Sequence, residues 1–363
     1  MDSVPAASRL AVALSGGLDS AMALILLREA GHNVQGVTML LWPPQGGETA
    51  PLPEAAQAAR DLCSQLGVQH TLIDLRETFA EAVVNSFVRE YAQARTPNPC
   101  VRCNERVKFG ALLEAVKGLG ATGLATGHHA QVGRSGGGYT LCRGVDAAKD
   151  QSYFLYTLSQ RVLSQVCFPV GTYTKDVLRA MAAERGLSVA QQQESQDACF
   201  VGAGSYADLL RQRVPEALRP GPILNRQGRI LGQHLGLPLY TVGQRSGLGV
   251  SADRPLYVLR MDRCRNALIV GYAEELDCHS LVAREMHYVS GEAPECTRYL
   301  QAQIRYRAQA VEVRVEPSGS SEAAIYFEQP VRGAAPGQAI VLYEGCRVVG
   351  GGLIDQVESV IEP

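Results

Sequence analysis

A glycine-rich segment near the start of the chain has the composition of a phosphate-binding loop. An apolar run leads into Ser15-Gly16-Gly17-Leu18-Asp19-Ser20, and a helical pattern follows. Glycines let backbone N–H groups approach an anion, and the positive end of a helix adds to the attraction. Hydroxyls of Ser15 and Ser20 can donate to phosphate oxygens, whereas Asp19 suits the helix N-terminus or a magnesium ion. A capped strand-to-helix turn without a ligand is the alternative interpretation.

Three of the ten cysteines lie in segments that suit thiol chemistry. Cys100 and Cys103 follow two prolines, and Cys103 precedes a helical pattern with Arg102 and Arg106 as neighbours. A helix N-terminus and nearby cations predict a lowered thiol pKa for Cys103. Polar residues surround Cys199 and a glycine follows it, which predicts an exposed thiol. Buried packing, as small hydrophobic residues, is the alternative for Cys100 and Cys103.

The elements that must position these residues alternate between strands and helices in the first third of the chain. Apolar runs predict strands at residues 9–14, 34–42, 70–75 and 123–127. Helical patterns cover residues 20–30, 54–66, 77–94 and 108–119. Such alternation predicts an α/β fold in which helices cover a Rossmann-like, mostly parallel sheet.

The pattern changes near residue 204, so we expect three domains with the boundaries 1–204, 205–280 and 281–363. The second is predicted to be small and mixed, with a hairpin turn at residues 225–228 between two short strands. Alternating apolar residues at 310–315, 324–327, 339–343 and 347–354 predict a C-terminal antiparallel β-barrel.

Composition bounds the class of protein. A chain of 363 residues with 46% hydrophobic and 19% charged residues is typical of a globular protein of several domains. Its longest apolar run, residues 21–27, is too short to span a bilayer, and no secretory signal is visible. We therefore expect a cytoplasmic protein with no membrane partner. A net charge of −2 argues mildly against a nucleic-acid partner, although the local placement of Lys and Arg matters more than the sum.

The string Ser-Gly-Gly-x-Asp-Ser after the first strand resembles the PP-loop of the ATP pyrophosphatase superfamily. Members of that superfamily cleave ATP to AMP and pyrophosphate, and a kinase-like Walker A sequence is absent here. The resemblance implies bound ATP, with magnesium, and a catalytic role for Asp19. It implies these ATP contacts: Ala13, Leu14, Ser15, Gly16, Gly17, Leu18, Asp19, Ser20, Met39 and Gly127.

Further motifs resemble the tRNA-specific 2-thiouridylase family of bacteria and organelles, in the family's order and over nearly the whole chain. They lie at residues 97–104, 125–129, 149–155, 168–171, 194–202, 241–249, 305–307 and 336–338. The resemblance implies that ATP adenylates the C2 oxygen of the wobble uridine (position 34) of tRNA. Cys199 would receive sulfur as a persulfide from a relay protein. Cys103 would attack that persulfide, freeing the sulfur for C2 or forming a Cys103–Cys199 disulfide.

The same resemblance implies a set of tRNA contacts: Asn98, Pro99, Cys100, His128, Lys149, Asp150, Gln151, Arg305, Tyr306 and Gln338. The residues themselves agree in part. Arg305 and Arg307 place two cations around the ring of Tyr306, an arrangement that suits phosphate binding and base stacking. A solvated strand face is the alternative for these three residues.

Cys100 is a departure from the family, which commonly has Asp at this position. Three thiolates, from Cys100, Cys103 and Cys199, can hold a 4Fe–4S cluster with one open iron, so a cluster that carries sulfide is an alternative to the persulfide. Two rival functions also remain open: an amidating PP-loop ligase, and a sulfur or cluster carrier that binds RNA without catalysis. Release of pyrophosphate that depends on tRNA would separate them.

Overall fold

Five parallel strands form the centre of the first half of the chain. The computed structural model describes residues 8–42, 52–191, 199–200 and 205–359. The strands are β1 (Arg9–Ala13), β2 (Asn33–Leu40), β3 (His70–Asp74), β4 (Gly123–Thr126) and β7 (Val166–Cys167). Their order is β3-β2-β1-β4-β7, with every neighbouring pair parallel. Because β1 is central and covered on both faces, its sequence is almost entirely apolar.

Helices connect these strands and cover the sheet. They are α1 (Leu18–Glu29), α2 (Glu54–Gln65), α3 (Arg76–Phe79), α4 (Ser86–Ala92), α5 (Pro99–Arg102), α6 (Leu113–Gly118), α7 (Gln160–Leu163), α8 (Lys175–Glu184) and, further along, α9 (Tyr206–Arg213). A π-helical segment, Ala80–Asn85, joins α3 to α4, and a second, Cys103–Leu112, joins α5 to α6.

The helix predicted to begin at Lys108 in fact begins at Pro99. Asn98 caps it, since its side chain accepts a hydrogen bond from the Val101 N–H, and proline is favoured at the first helical position. Cys103 therefore lies inside a continuous helix rather than in front of one, and the sequence prediction was wrong on this point.

The middle of the chain forms a four-stranded mixed sheet. Its strands are β8 (Gly221–Leu224), β9 (Ile230–His234), β10 (Tyr257–Asp262) and β11 (Ala267–Gly271), in the order β10-β11-β8-β9. The predicted hairpin joins β8 to β9, and Gly228 N–H donates to the Asn225 carbonyl across the turn at 3.0 Å. This hairpin is confirmed.

Six antiparallel strands close into a barrel at the C-terminal end. They are β12 (Asp277–Tyr288), β13 (Arg298–Gln303), β14 (Val311–Ser318), β15 (Glu322–Arg332), β16 (Ala339–Glu344) and β17 (Arg347–Ser359). Closure follows because β12 pairs with both β15 and β17. A hairpin from the first half, β5 (Ala130–Ser135) and β6 (Gly138–Arg143), extends this sheet through β17, which the sequence did not predict. The predicted fold class is confirmed.

Direct contacts hold the barrel against the first half of the chain. Arg95 forms a 2.7 Å ion pair with Asp355, and the hydroxyl of Tyr153 donates to the Ala339 carbonyl at 2.8 Å. Tyr343 of β16 belongs to the same hydrophobic core as the helices α3 to α6. Among the described residues, no helix has the length and apolar composition needed to cross a membrane.

Candidate active site

Close backbone packing fixes the glycine-rich loop between β1 and α1. Gly16 has φ +77°, and a Cβ there would lie 2.7 Å from the Ala55 carbonyl oxygen. At the end of β4, a Cβ on Gly127 would lie 2.6 Å from the Ser20 nitrogen. Both positions therefore require glycine, and Gly127 faces the first turn of α1, as its predicted place in the nucleotide site demands.

Hydrogen bonds within the loop leave the N-terminus of α1 open to a ligand. The Ser20 hydroxyl donates to the Gly17 carbonyl and accepts from the Ser15 N–H at 3.1 Å. Gly17, at the N-cap, has no side chain with which to cap α1, so the first N–H groups of the helix can bind an anion. The exposed Ser15 hydroxyl is the side chain of this loop best placed to donate to phosphate.

The remaining predicted nucleotide residues flank this loop. Ala13 ends β1 and Leu18 begins α1, and the Leu14 N–H bonds to the Val37 carbonyl of β2 at 2.8 Å. Met39, two residues further along β2, is half-buried against the core. Loop and second strand thus meet at the carboxyl edge of the sheet, where open α/β sheets bind ligands.

Asp19 is held by two residues from distant parts of the chain. Lys175 Nζ lies 2.7 and 2.8 Å from the two carboxylate oxygens, and His129 Nε2 lies 3.2 Å from Oδ1. Both partners are buried, with 5% of Lys175 and 2% of His129 exposed. Burial alone raises the pKa of Asp19, but the hydrogen bonds and charges of His129 and Lys175 outweigh it, so the pKa lies below its ordinary value.

Neither Lys175 nor His129 is among the residues predicted from the sequence for this site. Lys175 is one of only four lysines in the chain, against 30 arginines, which is the signal that could have drawn attention to it. It begins α8, directly after the capping residue Thr174. Packing of α8 against α1 brings its ammonium group to Asp19.

The glycines at residues 118–123 have the Gly-x-Gly-x-x-Gly spacing of dinucleotide-binding loops. They lie between α6 and β4, however, and so lead from a helix into a strand. A dinucleotide loop leads from a strand into a helix, so this stretch does not form one.

The cysteine centre (Cys100, Cys103 and Cys199) combines the helix that begins at Pro99 with the described pair Cys199–Phe200. Cys103 is buried, with 8% exposed, whereas Cys100 and Cys199 are exposed. The three thiols lie within electrostatic range of one another, since Cys199 and Cys100 both act to raise the pKa of Cys103. The structure thus brings together three residues that the sequence proposed as one site.

The predicted lowering of the Cys103 pKa is wrong. Burial raises the pKa of Cys103 to about 11, and only Lys108 acts against it. Arg102 is drawn away by Glu285 at 2.6 Å, and Arg106 by Glu105 at 3.2 Å. The pKa values of Cys100 and Cys199 are also raised, because surrounding protein excludes part of the solvent from these thiols although both residues keep exposed surface; Lys108 again opposes the shift.

Phe200 anchors the described pair Cys199–Phe200 to the helical layer. Its ring, only 6% exposed, packs edge-on against Phe87 at 5.1 Å and Phe79 at 5.9 Å between centroids. The neighbouring residues of this motif, 194–198 and 201–202, lie outside the described residues. The Phe200 ring is buried while the Cys199 thiol is exposed, so the anchored ring restricts where Cys199 can lie.

The donor arrangement needed for an iron–sulfur cluster is not found. Within residues 8–42, 52–191, 199–200 and 205–359, no group of three or more His, Cys, Asp or Glu side chains is placed to hold a metal ion. The three thiols are neighbours, but they do not converge on one point. No step of the chemistry is therefore derived through a cluster.

Several predicted tRNA residues have internal partners. Asp150 is 8% exposed and accepts hydrogen bonds from Gly144, Ser152 and Arg143. Gln151 accepts from the His129 N–H at 3.0 Å. These contacts shape the loop that leads from β6 towards His129, and they favour a positioning role for Asp150.

His128 and Lys149 complete the residues predicted on this side of the site. His128 is buried against Phe109 and Phe168 and hydrogen-bonds Thr126 at 2.6 Å. Burial, aided by Lys108, lowers its pKa well below the ordinary value, so the ring is neutral at pH 7. Lys149 lies partly buried in the turn before Asp150.

Gln338 fastens the barrel to the loop that carries Asn98 and Pro99. Its amide donates to the carbonyls of Thr96 at 3.1 Å and Pro97 at 3.2 Å. Gly337 has φ +94°, and a Cβ there would lie 2.9 Å from Thr96 backbone atoms. Gln338 thus holds in place the loop that carries the predicted tRNA contacts Asn98 and Pro99.

Arg305, Tyr306 and Arg307 form a turn after β13, not the strand face weighed as an alternative. The Tyr306 ring packs at 4.5 Å on Phe154, whereas both arginines are exposed. Arg307 lies over the Tyr306 ring at 5.3 Å. In the part of the chain that the structure describes, Arg305 forms no ion pair, so its charge is available to a partner.

A Rossmann-like sheet with a glycine-rich loop after its first strand, followed by a small mixed sheet and a closed barrel, defines a protein of the PP-loop class. Family profiles agree with this class. A tRNA methyl transferase HUP domain matches residues 8–203, a tRNA methyl transferase PRC-barrel domain residues 207–272, and an aminomethyltransferase beta-barrel domain residues 278–354.

Relatives that align with nearly the whole chain identify the family. The chain is 45% identical over 367 residues to the tRNA-specific 2-thiouridylase MnmA of Roseiflexus castenholzii, covering 96% of this chain and 99% of the relative. Identity is also 45% to the protein of the same name from Moorella thermoacetica, covering 96% and 100%. Identity to the protein of the same name from Chloroflexus aggregans is 46%, covering 96% of this chain and 98% of the relative. The chain belongs to the tRNA-specific 2-thiouridylase family.

Proposed function

We propose that this protein replaces the C2 oxygen of the wobble uridine of tRNA with sulfur, at the expense of ATP. The observation that carries the proposal is the meeting of Cys103 and Cys199. They are 96 positions apart (199 − 103), yet Phe200, the residue after Cys199, packs on Phe79 and Phe87 in the same hydrophobic core as Cys103. We assign ATP and sulfur chemistry to residues 1–204, and tRNA binding chiefly to the barrel at 281–363, with residues 205–280 between them.

The first half-reaction takes place at the glycine-rich loop. The uridine C2 oxygen attacks the α-phosphorus of ATP, pyrophosphate leaves, and the base carries AMP as a leaving group. Backbone N–H groups at the start of α1 and the Ser15 hydroxyl bind the phosphates. Magnesium is usually held by one or two carboxylates and the substrate phosphates, a role for which Asp19 is the carboxylate at the loop. Lys175 and His129 fix the orientation of that carboxylate.

The second half-reaction takes place at the cysteine centre. A relay protein leaves a persulfide on Cys199, and the Cys103 thiolate attacks its inner sulfur. The Cys103–Cys199 bond forms as the outer sulfur leaves as hydrosulfide, which attacks C2 and displaces AMP. A thiol reductant then restores both cysteines. Because the pKa of Cys103 is about 11, its proton must be removed during the attack, and Lys108 favours the thiolate that results.

The decisive experiment separates the two half-reactions. Cys199→Ser and Cys103→Ser should form no 2-thiouridine, yet both should release pyrophosphate when given tRNA, because adenylation needs no thiol. Nucleoside mass spectrometry of the tRNA and a pyrophosphate assay provide the two readouts. Cys264→Ser is the matched control, since Cys264 is an exposed cysteine outside the centre, in the turn between β10 and β11.

Each alternative function predicts a different result. Thiolation at the normal rate by Cys199→Ser would refute the assignment, and a methylated product would favour the reaction named in the domain profiles. An amidating ligase would release pyrophosphate without depending on tRNA, and a carrier would release none. Cys100→Ser with iron and sulfide analysis tests the cluster: the persulfide route keeps most activity, whereas a cluster loses iron and activity together.

A further inference from the structure

A second pair of cysteines lies far from the cysteine centre, where the β5–β6 hairpin meets the barrel. Cys142 is the penultimate residue of β6, and Cys346 lies in the two-residue turn between β16 and β17. Cys142 pairs in register with Arg347, the residue after Cys346. The Arg143 N–H also donates to the Cys346 carbonyl at 2.8 Å. The backbones of the two cysteine segments are therefore in direct contact at this point.

The side chains of this pair share one cavity. Cys142 and Cys346 both line a space of about 510 Å³ between the hairpin and the sheet. Burial raises the pKa of Cys142 to about 11, with Cys346 adding to the effect, whereas Cys346 is exposed at the turn. One thiol is therefore accessible to solvent, and the other is partly buried.

We propose that Cys142 and Cys346 form a redox-sensitive dithiol that closes to a disulfide when a hydroperoxide reaches the exposed turn. The Cys346 thiolate attacks peroxide oxygen, so that an S–O bond forms, the O–O bond breaks and hydroxide leaves to become water. The Cys142 sulfur then attacks Cys346 Sγ, so that the S–S bond forms and the sulfenic oxygen leaves as a second water. The two sulfurs lose two electrons, which reduce the peroxide.

The bond would join two regions that otherwise touch along a short edge. The β5–β6 hairpin is paired to the barrel in register at one residue pair, Cys142 with Arg347. The hairpin begins at Ala130, next to His129, which contacts Asp19. A disulfide here closes a loop of more than 200 residues (346 − 142), and such long loops restrict the unfolded chain strongly.

Peptide mapping of the full-length protein tests the proposal. After brief treatment with hydrogen peroxide and blocking of free thiols, trypsin should yield residues 135–143 linked to residues 333–347. Each of these peptides contains one cysteine. The link should disappear on addition of dithiothreitol, and the oxidised protein should unfold at a temperature several degrees higher than the reduced one. Cys142→Ser and Cys346→Ser should each lose both the linked peptide and the rise in unfolding temperature.

Specific outcomes would overturn the proposal. Cys264 is an exposed thiol outside this pair and reports how far the peroxide has reacted. If Cys264 is oxidised while the peptides containing Cys142 and Cys346 stay unlinked, the pair is not a redox dithiol. The same conclusion follows if Cys346 links to another cysteine, or if the rise in unfolding temperature persists in Cys346→Ser. The Cys103–Cys199 bond yields different peptides and does not confuse the result.

Discussion

The glycine-rich loop is one continuous stretch, residues 14–20, whereas the cysteine centre combines a helix near residue 100 with the pair Cys199–Phe200. The loop is held by backbone contacts and by a buried Lys175–Asp19 pair. At the cysteine centre, by contrast, the anchor of Cys199 is an aromatic contact of its neighbour. The two regions also differ in charge, because Asp19 is stabilised as an anion while the cysteines have raised pKa values.

This difference suits the two half-reactions of the proposed function. Nucleotide binding requires N–H donors that are in position before ATP arrives, and rigid backbone provides them. In the proposed sulfur transfer, one cysteine must meet first a donor protein and then Cys103, which suits a position set by a few side-chain contacts. Backbone changes at the loop should therefore abolish adenylation, whereas loosening the Phe200 anchor should slow sulfur transfer alone.

The largest effect is expected for Gly127→Ala. The new methyl group would lie 2.6 Å from the Ser20 nitrogen and would displace the first turn of α1. Because a shift of about 1 Å in a reacting group costs roughly 100-fold, tRNA-dependent pyrophosphate release should fall by at least that factor. Gly118→Ala is the control, since nothing lies within 4 Å of its added Cβ and activity should be kept. Normal adenylation by Gly127→Ala would remove the loop from the nucleotide site.

Lys175→Met should lower both adenylation and stability. Breaking a fully buried ion pair costs about 3–5 kcal/mol, and the partial exposure of Asp19 reduces the expected loss in unfolding free energy to about 2 kcal/mol. Lys117→Met, which breaks an exposed pair with Glu114, should change the unfolding free energy far less, because solvent screens that pair. Urea unfolding measures both. Adding Asp19→Asn to Lys175→Met should recover part of the stability but not the activity; no recovery would mean that charge is not the cause.

Phe200→Ala should act on sulfur transfer and leave adenylation intact. Without its ring, residue 200 loses the contacts with Phe79 and Phe87 that anchor the neighbouring Cys199. Thiolation should fall roughly 10-fold at an unchanged rate of pyrophosphate release, and Cys103–Cys199 disulfide formation should slow in parallel. Phe200→Leu should restore most of the rate by filling the same space. A parallel fall in both half-reactions would instead indicate general loss of structure.

The smallest effect is expected for Arg305→Ala, which lies in neither region. Removing one exposed cation should weaken tRNA binding about 3- to 10-fold and reduce its salt dependence by about one ion contact. Affinity for ATP should stay the same. Arg298→Ala, whose guanidinium is paired with Glu344 at 2.8 Å, is the control and should change the salt dependence less. An unchanged slope for Arg305→Ala would exclude a phosphate contact.

The sequence correctly predicted those features that depend on interactions between residues close together in the chain. The β-α alternation and the hairpin at Asn225 follow from periodicity and turn chemistry, and the structure confirms both. The helix start at Pro99 is set by the capping residues Asn98 and Pro99, whereas the apolar periodicity becomes regular only at Lys108, so periodicity alone places the start too late. The Cys103 pKa was predicted in the wrong direction because burial is a property of the packed protein.

Sequence alone therefore determined the class of fold and the position of the glycine-rich loop, and it predicted which cysteines act together, since continuous motifs carry these features. Tertiary structure decided which charged residues act on the loop and on the cysteines. Lys175 reaches Asp19 from 156 positions away (175 − 19), and Arg102 turns to Glu285 of the barrel instead of supporting Cys103. Electrostatic effects depend on distance and burial, and both are set by packing between segments that are remote in sequence.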